Sequence, residues 1–350
     1  MRASIFLLLL FFISIASLLA TPSFLFDQEY QILSANEHGV YMYVSEQIYY
    51  WKKDNVWEEL SSLPSVLSEL WKKIDLQKDM ACIDEEGNLW LLFFPQLVCY
   101  NLKRKNWQII LLPIDVLQSH ELGLDFGIET WQREIWIATR DFLWCFHQNN
   151  QWWEQIPYPD GVTGGILQKD SHNCLWLSGF VAFDGKNWKV LTNPGKVDSF
   201  DVDSFGQPWV ICENDVWTWN KEMCQWQNLS HGKFSRLYSI ALFKNRFWIS
   251  NYDDGCYFYD GNDWEKVEIL HIRPSLSFLR RFFNSYDILW FNTYFGIGYF
   301  DGSAWVSQQD ITDFYKMKTL YYLVMTFIIL ILCMNLIFFI LFGFKKSIKD

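Results

Sequence analysis

Five charged side chains stand out because they fall in short apolar stretches where charge is unusual: Asp125, Glu129, Asp201, Arg280 and Arg281. Carboxylates so placed accept hydrogen bonds or move protons. Two adjacent arginines either grip an anionic group or form structural ion pairs. The stronger local signatures do not occur: there is no His-Glu-x-x-His, Gly-x-Ser-x-Gly, Cys-x-x-Cys or phosphate loop. The six histidines are scattered, with His38 and His172 in turns, His147 between two apolar stretches and His120, His231 and His271 in connections. No catalytic residue, metal ligand or cofactor is implied. One sequon, Asn228-Leu229-Ser230, could carry a glycan in an organism that glycosylates.

The elements that would position such residues come from a repeat. Between Gln31 and Asp310 one pattern recurs seven times: an apolar strand, a polar turn, an apolar pair, another strand, a second turn and a closing tryptophan. The closing residues are Trp57, Trp107, Trp153, Trp188, Trp226, Trp264 and Trp305, at intervals of 50, 46, 35, 38, 38 and 41 residues. Each interval holds about four short strands. The earlier pair reads Val40-Tyr41, Leu89-Trp90, Ile135-Trp136, Leu175-Trp176, Pro208-Trp209, Phe247-Trp248 and Leu289-Trp290. Turns such as Asp203-Ser204-Phe205-Gly206 precede the pair, and Asp-Gly precedes the closing tryptophan at Asp184-Gly185, Asp260-Gly261 and Asp301-Gly302. Both are hairpin chemistry.

A four-stranded unit cannot bury both faces alone, whereas radial stacking buries each sheet against its neighbours. The expected fold is therefore all-β, a seven-bladed β-propeller over residues 24–310. Thirteen of the 20 tryptophans occupy the two repeat positions and are read as packing between blades. Trp51, Trp71, Trp131, Trp144, Trp152, Trp217 and Trp219 lie off the pattern, some of them candidates for surface contacts. The inner strand of every blade borders a central channel, so a site there would be assembled from distant residues and would leave no local motif. Asp125, Glu129, Asp201, Arg280 and Arg281 are the expected lining of the channel mouth. Val66, Leu67, Leu70, Trp71 and Ile74 fall at helical spacing and suggest a short amphipathic helix over one face.

The flanks point to a membrane. Residues 1–20 carry Arg2, a long apolar run and Ala20, as a secretory signal peptide does; an uncleaved anchor is the alternative. Residues 320–344 lack charge and are long enough to span a bilayer. Residues 311–319 then form a juxtamembrane tether and 345–350 a short cytoplasmic tail with Lys345, Lys346 and Lys349. The expected topology is single-pass, with the propeller extracytoplasmic.

The net charge of -11 argues against nucleic acid as a partner. Cys333 lies in the expected span, and the other seven cysteines cannot all pair. Cys212 with Cys224 is the pair best placed for a disulfide, and the rest read as buried hydrophobes.

Copies such as Asp203-Ser204-Phe205-Gly206-Gln207-Pro208-Trp209 and Phe300-Asp301-Gly302-Ser303-Ala304-Trp305 resemble the two-component-regulator propeller repeat over most of residues 31–310. The resemblance implies extracytoplasmic sensor propellers of membrane receptors, which recognise ligands, often carbohydrates. This chain departs in having one propeller, six tail residues and degenerate copies such as Thr130-Trp131-Gln132-Arg133. The expected function is a membrane-anchored, non-enzymatic module that binds an extracellular ligand, such as a carbohydrate, or another membrane protein, and lacks its own output domain. The alternatives are a propeller lyase or hydrolase acting on glycans and a structural subunit of a membrane complex.

Overall fold

The computed structural model describes residues 30–44, 47–52, 56–60, 64, 80–116, 126–253, 255–267, 279–285, 287–293 and 296–307. Among these residues twenty-eight strands form seven separate four-stranded sheets, each built from four consecutive strands running from the channel outward. The seven-bladed propeller expected from the repeat is therefore the observed architecture. Among the described residues no helix is long and apolar enough to cross a membrane. Residues 1–20, 66–74 and 311–350, where the signal peptide, amphipathic helix, tether, span and tail were expected, lie outside the described residues.

The repeat positions have distinct mechanical roles. The closing tryptophan lies on the outer strand, directly across from an aromatic of the third strand: Tyr100 faces Trp107, Phe146 faces Trp153, Phe183 faces Trp188, Trp219 faces Trp226 and Tyr259 faces Trp264. Ring centroids in these pairs are 4.5–5.4 Å apart. Aromatic cross-strand pairs of this kind pin the register of the outer strand, which has no further neighbour. The Asp-Gly turns work by division of labour. Asp184, Asp260 and Asp301 each accept two backbone N–H groups through Oδ1, while Gly185, Gly261 and Gly302 take φ of 95, 108 and 95°.

Second-strand tryptophans are buried, and two of them are tied to the preceding turn. Asp84 Oδ2 accepts the Trp90 Nε1–H at 2.8 Å, and Asp170 Oδ2 accepts that of Trp176 at 2.7 Å. Their Oδ1 atoms hold the turn backbone at the same time. Of the tryptophans outside the pattern, Trp51, Trp131, Trp144 and Trp219 are core residues, whereas Trp152 is exposed and stacks on His147 at 4.3 Å.

The expected Cys212–Cys224 disulfide does not form. Cys212 is buried at the end of the second strand of blade five, opposite Asp215, and Cys224 is exposed beside the turn that starts at Asn220. Residues 215 and 220 stand at opposite ends of the third strand, roughly 17 Å apart at the usual rise per residue. All seven cysteines of the described residues are free thiols, most of them buried.

Candidate functional site

In every blade one inner-strand residue pairs with the marker aromatic of the second strand. Ser34 faces Tyr41, Cys82 faces Trp90, Glu129 faces Trp136, Gln168 faces Trp176, Asp201 faces Trp209, Ala241 faces Trp248 and Phe283 faces Trp290. All seven line a single cavity of about 870 Å³. They form a ring, one residue per blade, at a constant height in the channel. The ring is two-sided. Blades three, four and five contribute Glu129, Gln168 and Asp201, and the others contribute small or apolar groups.

One step further along each inner strand the side chains become uniformly apolar: Ile128, Leu167, Phe200, Ile240 and Phe282 are buried and also line the cavity. In the other direction the cavity reaches the polar turns at Asn36, Glu37, Asp170, Ser171 and Asp287. A second cavity of about 580 Å³ meets the first at Ile166 and is lined by residues at the beginnings of the inner strands, among them Lys196, Asp198, Arg236 and Tyr238. Asp198 and Tyr238 reach it through β-bulges, the extra residues between Val197 and Ser199 and between Leu237 and Ser239. Bulges re-aim single side chains in this way at barrel and sheet rims.

Asp201 is held by three blades. Its Oδ1 accepts the Gln168 Nε2–H of blade four at 2.5 Å and its own neighbour's Val202 N–H at 2.7 Å, while Oδ2 accepts the Leu242 N–H of blade six at 2.6 Å. Burial pushes its carboxyl up to about 6 against the pull of those three donors, and nearby Asp203 adds to the rise. Glu129 accepts the Thr130 N–H at 2.8 Å. The Cys82 thiol is raised by burial, with Glu129 and Asp84 adding and Lys169 opposing.

Of the candidates read from sequence, Glu129 and Asp201 meet in this ring. Asp125 lies outside the described residues. Arg280 is the extra residue of a bulge in blade seven, and Arg281 holds the register of Ser199 and Ser239; the side chains of both lie outside the described residues. Asn228 ends an outer strand, half-buried, and its Oδ1 accepts the Ser230 and His231 N–H groups. Gln168, Lys169 and Cys82 were missed. Their signal is positional: each ring residue stands seven or eight places before the marker aromatic. Among the described residues no group of three His, Cys, Asp or Glu side chains could hold a metal ion.

No family model and no curated protein matches the sequence. Solved structures do match. The chain resembles virginiamycin B lyase from Staphylococcus aureus with a TM-score of 0.55 and 13% identity, over 77% of this chain and 97% of the other. The GH74 enzyme of Niastella koreensis gives 0.53 and 12%, over 78% and 53%. The extracellular domain of a putative hybrid two-component system from B. thetaiotaomicron gives 0.52 and 13%, over 77% of this chain and 39% of that one. At such identities the likeness shows the propeller fold alone.

Proposed function

We propose that this protein is a binding module: a membrane-anchored extracytoplasmic propeller whose ligand occupies the 870 Å³ cavity and whose output passes through a partner membrane protein. The observation that carries this reading is the two-sided ring. Seven blades present equivalent positions, yet only Glu129, Gln168 and Asp201 on three consecutive blades are strongly polar, which gathers the ring's hydrogen-bonding groups on one side. The cavity volume suits a small molecule. Extracytoplasmic placement is supported by the apolar N-terminal run and by the likeness to an extracellular sensor domain.

The test is a thermal-shift screen of the full-length chain in detergent against small metabolites and oligosaccharides, repeated on Ala241→Trp, which fills the ring, and on Trp152→Ala at the outer rim. Hits should vanish in the first variant and persist in the second. Hits that survive Ala241→Trp place binding elsewhere.

A second reading, a lyase or hydrolase, has one observation in its favour: Glu129 and Asp201 share a cavity, and a carboxyl near 6 suits a general acid. Asp201 is already bonded to three donors, which favours a holding role. Turnover of a ligand found in the screen, lost in Glu129→Gln, would establish the enzyme. A structural-subunit role would draw on Leu111 and Ile114, which are 72% and 70% exposed at the rim of blade two.

A further inference from the structure

The cavity holds one ammonium whose donors the other described residues leave free. Lys169 ends the inner strand of blade four, pairs with Leu175 and lines the cavity one residue beyond Gln168. The residue is half-buried, and among the described residues its ammonium makes no hydrogen bond and no ion pair. The acids that share the cavity, Asp287 apart, already take hydrogen bonds or a nearby imidazole. Asp201 takes three N–H donors, and Asp170 takes the Trp176 indole with the His172 and Cys174 N–H groups. Glu129 takes the Thr130 N–H, and Glu37 lies 3.7 Å from His38.

An ammonium that reaches the solvent of a cavity with its donors unclaimed is free to meet an anionic group that enters there. We propose that Lys169 is the docking point for a single oxyanion group, a carboxylate, phosphate or sulfate, on a small polar ligand whose hydroxyls meet Ser34 and the Gln168 side-chain carbonyl. The inference rests on the reading of this cavity as a ligand site. The number of charges follows from the surroundings. Among the described lining residues five carboxylates, Glu37, Glu129, Asp170, Asp201 and Asp287, stand against this one ammonium, so the field opposes a polyanion and tolerates one negative group close to the lysine.

The experiment measures affinity of the full-length chain in detergent for gluconate, glucose 6-phosphate and glucose 6-sulfate, with glucose and glucosamine as neutral and cationic counterparts. At least one anionic probe should bind, the three anions distinguishing carboxylate, phosphate and sulfate. Lys169→Met should weaken it about tenfold or more, the usual worth of a hydrogen bond to a charged group, and Lys169→Arg should keep most of it. Anionic binding unchanged in Lys169→Met, or glucose or glucosamine binding as well as the anions, overturns the proposal and leaves the cavity reading standing. No binding by any probe, with no hit in the wider screen, overturns both.

Discussion

Asn292 closes the ring by holding Ile32 from both sides: its Oδ1 accepts the Ile32 N–H at 2.8 Å and its Nδ2 donates to the Ile32 carbonyl at 3.2 Å, across 260 residues of sequence. Among the described residues no strand is shared between the first and last blades, because every sheet is made of four consecutive strands. Side-chain bonds between neighbouring blades therefore carry weight at this seam. Between blades five and six the Ser199 hydroxyl accepts the Ile240 N–H, and between six and seven the Ser239 hydroxyl accepts the Phe282 N–H, each at 3.2 Å. Blade seven has Arg281 at the matching register, and Arg281 pairs with Asn292, which makes the bond to blade one instead. Asn292→Ala should leave two buried backbone groups of Ile32 unsatisfied and cost about 2–6 kcal/mol, at roughly 1–3 per group. Urea unfolding checks this, and a midpoint unchanged from the parent would remove the seam from the account.

The turn-to-tryptophan bond separates two residues that look alike in sequence. Trp176 donates to Asp170, whereas the buried Trp209 Nε1 has no hydrogen-bond partner while its ring stacks on Phe247 at 4.0 Å. Trp176→Phe should cost about 1.5–3 kcal/mol, the range for a hydrogen bond to a charged group. Trp209→Phe should cost markedly less, because it also removes an unsatisfied buried donor. Equal losses in thermal or urea unfolding would refute the distinction.

Asp201 should leave a signature in the pH dependence of stability. Its folded-state carboxyl is raised from 3.8 to about 6, burial being the main cause, so the folded protein holds this proton more tightly than the unfolded chain between those values. The resulting stabilisation is present in full below about pH 4 and is lost as pH rises through 6. Asp184, Asp260 and Asp301, held below the usual range by turn hydrogen bonds, act in the opposite direction but equally in parent and variant. The advantage of the parent over Asp201→Asn should thus be greater at pH 4 than at pH 7. A difference that is flat or grows with pH contradicts the assignment.

Gly164 joins blades three and four, donating its N–H to the Arg140 carbonyl at 2.8 Å, and a Cβ there would sit 1.7 Å from the Thr139 oxygen. Gly164→Ala should meet or exceed the ~1–3 kcal/mol typical of overpacking, because the obstacle is backbone and cannot swing aside. Gly161→Ala, three residues away at φ +78 with nothing within 4 Å, should cost only the ~1–2 kcal/mol of a left-handed backbone. Soluble yield and melting temperature of the two variants give the comparison.

The sequence by itself determined the blades. Trp188, Trp264 and Trp305, with the Asp-Gly turns before them, follow from local rules of pairing and turn geometry, so their spacing counted seven sheets and located the inner strands. It also marked Glu129 and Asp201 as charges out of place. Only the tertiary structure decided what those charges do. Blades three, four and five had to close side by side before Gln168 and Leu242 could converge on Asp201, 33 and 41 residues from it in the chain. Lys169 was passed over for the same reason. A lysine at a strand end reads as an ordinary surface charge until the ring is assembled, and its place in a cavity without a partner is a property of seven strands at once, which no local pattern records.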